Sequence, residues 1–364
     1  MNVAIIGCGY IGAKHIQGLA QVPGIRLTAV CDTEVRRAEE LADRYRRLVD
    51  RADTDPVQVC STYAPLLEDS GIDAVSITVP SGLHAAIAFA ALKAGKHVIL
   101  EKPMALSAGE ARSLVELSVE TGRKLAVCHQ KRFYPHLQQI RTMVSSGKLG
   151  QLVSGTVSLV YNRTDEYYQS IPWRGTWAMD GGVLLNQAIH DIDLLLWFMG
   201  NPVCVQGHVQ RLLRPMEAED TAAAVVATAD GGVATLTATV CAPKGHSEEH
   251  ITLVGTRGVF TLSGKTMQPT SWKVEEEPIP EFVNVDPYSR LYKDFSEAVA
   301  ENRDPFVSGK EALHALETIF GVYSSWLRHR GVRLPVENFS TLQMNNTFTS
   351  EGREHACTKG PTFS

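Results

Sequence analysis

Nothing in this 364-residue sequence is apolar for long enough to span a bilayer. The longest strongly apolar stretch, Ile192 to Met199, is interrupted by Asp193 and falls far short of the roughly 20 residues a helical span requires. Basic excess is also missing: 35 Lys and Arg stand against 40 Asp and Glu, a formal charge of -5, which argues against a phosphate backbone or anionic lipid as partner. The amino terminus enters directly on Val3-Ala4-Ile5-Ile6, without the basic region and small-residue cleavage site of a secretory signal. The seven cysteines (Cys8, Cys31, Cys60, Cys128, Cys204, Cys241, Cys357) are scattered and form no Cys-x-x-Cys pair, so neither a disulfide framework nor a zinc site is suggested. No internal repeat is visible. These absences predict a cytoplasmic protein with no membrane, nucleic-acid or metal partner.

What is present is an ordinary globular composition, 44% apolar and 21% charged, on a chain longer than one hydrophobic core usually organises. The first third alternates apolar, β-rich runs (Val3 to Gly7, Arg26 to Cys31, Ala74 to Val79, Val98 to Leu100, Leu125 to Cys128) with helical patterns. That rhythm predicts an α/β, Rossmann-type doubly wound parallel sheet. From about Gln151 successive strands follow one another without helices, as in Val225 to Thr228, Asp230-Gly231-Gly232 and Val233 to Val240. This hairpin grammar predicts an α+β domain with a large, open, mainly antiparallel sheet. The change falls near Phe133 and divides the chain into a dinucleotide-binding domain (1–130), a substrate-binding and oligomerisation domain (131–334) and a polar, mobile tail (335–364). Two closing helices are expected at Ser289 to Ala300 and Lys310 to Arg328, the second opened by a Ser308/Glu311 capping box.

Gly7-Cys8-Gly9-Tyr10-Ile11-Gly12 lies between a predicted strand and a predicted helix. In that context Gly7 allows a tight turn, Gly9 admits a pyrophosphate to the helix amino terminus, and Gly12 lets helix and strand pack closely. Asp32, twenty residues beyond Gly12, closes the second strand, where a carboxylate accepts ribose hydroxyls and repels a 2'-phosphate. NAD is therefore the expected cofactor, with NADP kept open by Arg36 and Arg37 one turn on. Further along, Glu101-Lys102-Pro103 runs off the end of a parallel strand, where ligands bind in such sheets. Lys102 there is placed to act as acid and base, and its bond to Pro103 is a candidate cis peptide. The segment alone also reads as a solvated surface lysine.

Around the pair Gly181-Gly182, Leu185, Ile189, Ile192 and Leu196 form an apolar stripe at helical spacing, while Asn186, His190, Asp193 and Trp197 share the neighbouring face. His190 on that face suits the orientation of a substrate hydroxyl whose proton Lys102 removes.

Together, Gly7 to Gly12, Gly95-Lys96-His97-Val98 leading into Glu101-Lys102-Pro103, and Gly181 to Asp193 resemble the Gfo/Idh/MocA oxidoreductases, NAD(P)-dependent enzymes of sugars and cyclitols. The resemblance spans roughly Met1 to Leu334. It implies catalytic positions at Lys102 and His190, and contacts to the cofactor or its surroundings from Tyr10, Ile11, Arg37, Thr78, Pro80, His84, Glu101 and Gln130. Many members carry Asp where this chain has Asn186, so the amide positions a hydroxyl and the proton burden falls on Lys102.

Tyr161 to Tyr168 and Pro172 to Trp177 place aromatic faces and two guanidiniums just ahead of this helix. Aromatic faces suit sugar C–H surfaces, and arginine forks suit carboxylate or phosphate. Arg163, Tyr168, Trp173, Arg174, Asn186, His190 and Lys102 are thus the candidate substrate contacts. The predicted activity is oxidation of a secondary hydroxyl of a sugar, sugar derivative or nucleotide sugar to a ketone. Inositol oxidation is the nearest rival, and a non-catalytic NAD-binding regulator the alternative of another class. The broad sheet face of the second domain predicts a homodimer or homotetramer.

Overall fold

The computed structural model describes residues 1–49 and 56–348. The chain divides into two compact units. The first comprises Met1–Ala105, Gly109–Thr142 and Pro280–His314, and the second comprises Leu106–Ala108, Met143–Ile279 and the chain from Ala315 onward.

The first unit is built on a parallel sheet of β1 (Asn2–Ile6), β2 (Arg26–Cys31), β3 (Gln58–Cys60), β4 (Ala74–Ile77), β5 (His97–Leu100) and β6 (Leu125–Val127), in the order β3-β2-β1-β4-β5-β6. Its central strands are buried along nearly their whole length, as expected for strands covered on both faces. Helices α1 (Tyr10–Leu19), α2 (Val35–Val49), α3 (Ala64–Glu68), α4 (His84–Lys93), α5 (Ala108–Glu120) and α6 (Pro135–Ser145) follow the strands. The chain order reverses between β1 and β4, which makes their carboxyl ends the crevice where ligands bind in this architecture.

In the second unit β7 (Leu152–Tyr161) is followed by a short helix, α7 (Asp165–Gln169), and by a π-turn, Leu184–Ala188, that runs into α8 (Ile189–Met199). Strands β8 (Pro202–Gln210), β9 (Thr221–Thr228), β10 (Val233–Thr239), β11 (Ser247–Gly255), β12 (Gly258–Ser263) and β13 (Gln268–Val274) come next. After helices α9 (Pro287–Ala300) and α10 (Gly309–Leu327), a last short strand, β14 (Val332–Arg333), completes an eight-stranded sheet in the order β13-β12-β11-β7-β10-β9-β8-β14. Only the β7–β10 pair is parallel, so the sheet is mainly antiparallel as the hairpin pattern predicts. Burial alternates along β9 and β10 (Ala222, Ala224 and Val226; Ala234, Leu236 and Ala238), the mark of a sheet with one covered face. Helix α8 covers β7 so closely that a Cβ on Gly155 would stand 2.2 Å from the Met199 sulfur.

The compact units divide the chain differently from the expected domains. Segment 280–314 belongs to the first unit: Leu291, Tyr292 and Phe295 of α9 join the core of Val3, Ile5, Ile16 and Leu19. Helix α9 meets α1 at Gly18, where a Cβ would come within 2.5 Å of the Tyr288 Cβ. A return of this kind is carried by side chains far apart in sequence, so no local pattern announces it. Much of the supposed tail is also packed. Val336, Phe339, Thr341, Met344 and Phe348 are buried, the Phe348 ring lies 5.3 Å from that of Trp326, and the Thr341 hydroxyl donates to the Trp177 carbonyl at 2.6 Å. The remainder, 349–364, lies outside the described residues. At α10 the Ser308 hydroxyl accepts the Glu311 N–H at 3.3 Å, but the Glu311 carboxylate pairs with the buried Arg132 at 3.0 Å and so leaves the reciprocal half of the expected capping box.

Candidate active site

In the first unit the three glycines meet three different steric demands. Gly7 has φ +100°, and a Cβ there would lie 2.7 Å from the Thr78 carbonyl. Gly12 sits against the turn itself, where a Cβ would stand 2.6 Å from the Gly7 carbonyl oxygen. Gly9, the amino-terminal flank of α1, has open space at its Cβ position. A turn closed on one side and open on the other at a helix amino terminus fits a dinucleotide pyrophosphate, which needs backbone N–H groups approachable from outside. Asp32 stands at the end of β2; its Oδ2 accepts the Cys8 N–H at 2.8 Å and Oδ1 the Glu34 N–H at 2.9 Å. The carboxylate thus braces the glycine turn. Arg37 Nε pairs with Glu34 at 2.9 Å, and Arg36 lies near Glu34 and Glu40. These exposed pairs are weak, but they set anionic oxygens among the two guanidiniums on which a 2'-phosphate would depend. Burial pushes the Cys8 thiol up to about 12, with Asp32 adding to the shift, so this cysteine stays protonated and inert. Tyr10 is exposed beside Lys14, whose Nζ lies 5.7 Å from the ring centre, and Ile11 is half-buried.

Lys102 follows β5, and its bond to Pro103 is cis. Three residues expected to touch the cofactor or its surroundings have side-chain polar atoms bonded within the protein. Thr78 is buried, and its hydroxyl donates to the Gly7 and Ile6 carbonyls. His84 is clamped between the Pro103 and Val79 carbonyls, 2.8 Å from each ring nitrogen; burial lowers its pKa from the ordinary value, against the pull of those carbonyls. Glu101 is buried, with Oε1 3.0 Å from His15 Nε2 and 3.3 Å from the Tyr288 hydroxyl, and Oε2 3.2 Å from the Lys102 N–H. Burial would raise this carboxyl, but His15 and Lys102 outweigh it and hold the pKa below its usual value. These groups brace the glycine turn and the Lys102 strand end. Pro80 precedes a single 3-10 turn, Ser81–Leu83, and Gln130 opens another, Gln130–Phe133.

His15 is a residue that the sequence reading missed. With Glu101 and Cys128 it brings three potential metal-ligand atoms within 4.8 Å of one another. The hydrogen bonds explain the cluster without an ion: His15 Nδ1 meets the Tyr292 and Ser76 hydroxyls at 2.9 Å each, and burial raises the Cys128 thiol well above its ordinary value. The spacing Gly12-x-x-His15 on a buried helix face was the available signal.

In the second unit the expected helix begins with the π-turn, which interrupts the 3.6-residue count between Asn186 and His190. Leu185, Ile189, Ile192 and Leu196 are buried as the apolar stripe predicts, and Asn186, His190 and Trp197 are half-buried. Asp193 is 1% exposed and so does not share the accessible part of the proposed ligand face. The Asn186 amide donates to Asp180, the Gln187 amide donates to Asn186, and Gln187 accepts from Arg163 Nη2 at 2.7 Å. Asp180, buried and also accepting the Gly175 N–H at 2.8 Å, therefore supplies this face with the carboxylate that position 186 lacks. Nothing in its local sequence marked it.

Beneath the π-turn lies Glu219, completely buried. Its Oε1 accepts the Leu184 N–H at 3.0 Å and the Tyr323 hydroxyl at 2.7 Å, while Oε2 has no hydrogen-bond partner among the described residues. Burial raises its pKa to about 8, against the pull of those donors, so the group is largely a neutral acid at pH 7. The candidate substrate residues separate into two sets. Arg163 joins the Asn186 chain. Tyr168 and Arg174 line an open cavity of about 630 Å³ together with Arg211, Arg214 and Glu217. The Arg163 and Arg174 guanidiniums lie 5.1 and 4.1 Å from the Tyr167 ring centre, which connects the two sets. Trp173 is half-buried and does not line the cavity.

Comparison with known proteins divides the chain in a similar way. Residues 1–129 match the profile of the oxidoreductase family with an NAD-binding Rossmann fold, and residues 137–261 that of the GFO/IDH/MocA C-terminal domain. The scyllo-inositol 2-dehydrogenase (NAD(+)) of Bacillus subtilis (strain 168) is 28% identical over 94% of this chain and 98% of its own length. The uncharacterized oxidoreductase YrbE of the same organism is 27% identical over 85% and 90%. Among solved structures, the WlbA dehydrogenase from Bordetella pertussis, in complex with NADH and UDP-GlcNAcA, superimposes with a TM-score of 0.81 at 29% identity, over 92% of this chain and 99% of that one.

Proposed function

Because this chain belongs to the Gfo/Idh/MocA oxidoreductase family, we propose that it is an NAD-dependent dehydrogenase that oxidises a secondary hydroxyl of a sugar, sugar derivative or nucleotide sugar to a ketone. The observation that carries the reading is the glycine turn. It is sterically closed at Gly7 and Gly12, open at Gly9 and braced by Asp32, and it lies in the same sheet as the strand that ends at Lys102. Gly7, Gly9, Gly12 and Asp32 would hold NAD, which would supply the acceptor for the hydride that leaves the carbinol carbon. Lys102 takes the hydroxyl proton in oxidation and returns it in the reverse direction. His190 orients that hydroxyl by a hydrogen bond, and Asn186, aligned by Asp180, positions a neighbouring one.

The two relatives support different substrates. The inositol dehydrogenase favours a neutral cyclitol, and the WlbA enzyme a nucleotide sugar acid. The test is absorbance of reduced nicotinamide with NAD and a panel of inositols, free sugars and UDP-sugars. Wild type is expected to turn over at least one of them, and Lys102→Ala to lose at least about a hundredfold in kcat, within the range of general acid–base catalysis. Binding of NAD with turnover of none would instead favour a cofactor-binding regulator. Self-association through the uncovered sheet face, where Val225 and Val233 are exposed, is part of the same proposal; light scattering that returns only the 39.8 kDa mass of one chain would exclude it.

A further inference from the structure

The cavity of the second unit has a chemical character that a neutral polyol does not require. Three of the residues that line it, Arg174, Arg211 and Arg214, carry guanidiniums, and among the described residues only Arg214 has a carboxylate partner, Asp165 at 3.1 Å. Arg174 spends Nη1 on the Tyr167 carbonyl at 2.8 Å and the Ser170 hydroxyl at 3.1 Å, and its plane lies over the Tyr167 ring. Arg211 donates to the Met216 carbonyl at 3.0 Å and the Phe348 carbonyl at 2.8 Å. Among the described residues, neither guanidinium faces an anion within ion-pair distance. Neutral acceptors fix the two side chains in place without cancelling their charge, and each keeps N–H donors to spare, since a guanidinium carries five.

The loop that presents Arg211 and Arg214 is itself braced. Asp220, buried, accepts the N–H groups of Leu212, Leu213 and Arg214 at 2.7–3.0 Å, which holds the β8–β9 connection in one shape. Two guanidiniums that line one cavity and, among the described residues, are held by neutral acceptors form a preorganised oxyanion receptor of the kind that carboxylates and phosphates occupy. Glu217 also lines the cavity, but its Oε2 is engaged by the Trp177 N–H at 3.0 Å.

We infer that this cavity binds an oxyanion, carboxylate or phosphate, carried by the substrate, with Arg174 and Arg211 as its specificity-determining residues. The inference rests on the dehydrogenase reading for its link to the substrate, but not for the anion site itself. It places the substrate among acidic or phosphorylated sugar derivatives rather than free cyclitols. The cavity adjoins the Asn186 chain through the Tyr167 ring, on which Arg163 and Arg174 both stand, so an anion held there keeps the rest of the molecule beside the Asn186 face.

Isothermal titration of the full-length, NAD-saturated protein with inorganic pyrophosphate and with malonate separates phosphate from carboxylate as the source. One stoichiometric site is expected for at least one probe. Arg174→Gln should weaken it roughly ten- to hundredfold, the range of a lost charge-assisted contact, while Arg174→Lys recovers part of the affinity. Glu217→Gln, which retains an acceptor for the Trp177 N–H but removes a like charge from the cavity, should tighten it roughly two- to fivefold; a gain cannot come from misfolding. Failure of both probes to bind, or binding that neither Arg174→Gln nor Glu217→Gln alters, overturns the inference. Oxidation of a neutral inositol without anion binding would leave the dehydrogenase reading standing and remove this one. Anion binding without turnover of any polyol would do the reverse.

Discussion

Replacing Glu219 by Gln should make the protein nearly insensitive to a range of pH over which the wild type loses stability. The carboxyl is fully buried beneath the π-turn, and burial lifts its pKa from 4.5 to about 8. The folded state therefore retains a proton that the unfolded chain has already lost. A folded pKa above the unfolded one means that this contribution is complete below pH 4.5 and is lost as pH rises through about 8. Over the whole interval the difference of about 3.5 pH units is worth about 5 kcal/mol, of which about 3 kcal/mol falls between pH 6 and pH 9, at about 1.4 kcal/mol per unit. The amide of Gln is neutral at every pH and retains an oxygen for the Leu184 N–H and the Tyr323 hydroxyl. Urea denaturation followed by tryptophan fluorescence at pH 6 and pH 9 should show wild type losing about 3 kcal/mol more than Glu219→Gln across that range. Parallel losses in the two proteins would refute the assignment, because the buried acid would then not be what titrates. Glu219→Ala, which strands both donors, should cost about 2–5 kcal/mol at pH 6 and about 3 kcal/mol less than that at pH 9, where the buried acid has already cost wild type that amount.

Gly18→Ala should destabilise the first unit by about 1–3 kcal/mol, because the new methyl would lie 2.5 Å from the Tyr288 Cβ and 2.7 Å from the Ser289 N; a matched melting temperature would mean that α1 and α9 can part without penalty. Gly9→Val should leave stability within about 1 kcal/mol, since its Cβ position is open. It should nevertheless weaken NAD binding at least tenfold as titrated by fluorescence, and unchanged affinity would move the pyrophosphate away from this turn. His97 is held neutral mainly by burial and then by Arg123, with its pKa lowered to about 4, and its Nδ1 accepts the Lys124 N–H at 3.0 Å. A lowered histidine costs stability as pH falls from about 6.5 toward 4. Thermal melts of His97→Gln should therefore fall less steeply over that interval than those of wild type, and identical slopes would count against it.

The first unit was largely legible in the sequence because its signals are local. Strand, glycine turn, helix and acid follow one another within the first 32 residues; Gly12 meets the turn itself and Gly7 the adjoining strand. The hairpin of β9 and β10 was readable for the same reason: Gly231 at φ +86° marks the turn between two alternating runs. The helix around His190 was legible only in its apolar stripe. Its π-turn depends on Glu219, 35 residues away, holding the Leu184 N–H, and the carboxylate facing Asn186 comes from Asp180 on the preceding loop.

By itself the amino-acid order determined the alternation of strand and helix, the dinucleotide turn and the presence of Lys102 at a strand end, since all three rest on contacts or conformations within a few residues. Tertiary structure alone decided that Thr78, His84 and Glu101 brace the fold, that segment 280–314 returns to the first unit, and that Arg211 and Arg214 join Tyr168 and Arg174 around one cavity. Those outcomes depend on which surfaces close against one another once water is excluded, and a side chain's partner across a packed interior leaves no mark on its own neighbours in the chain.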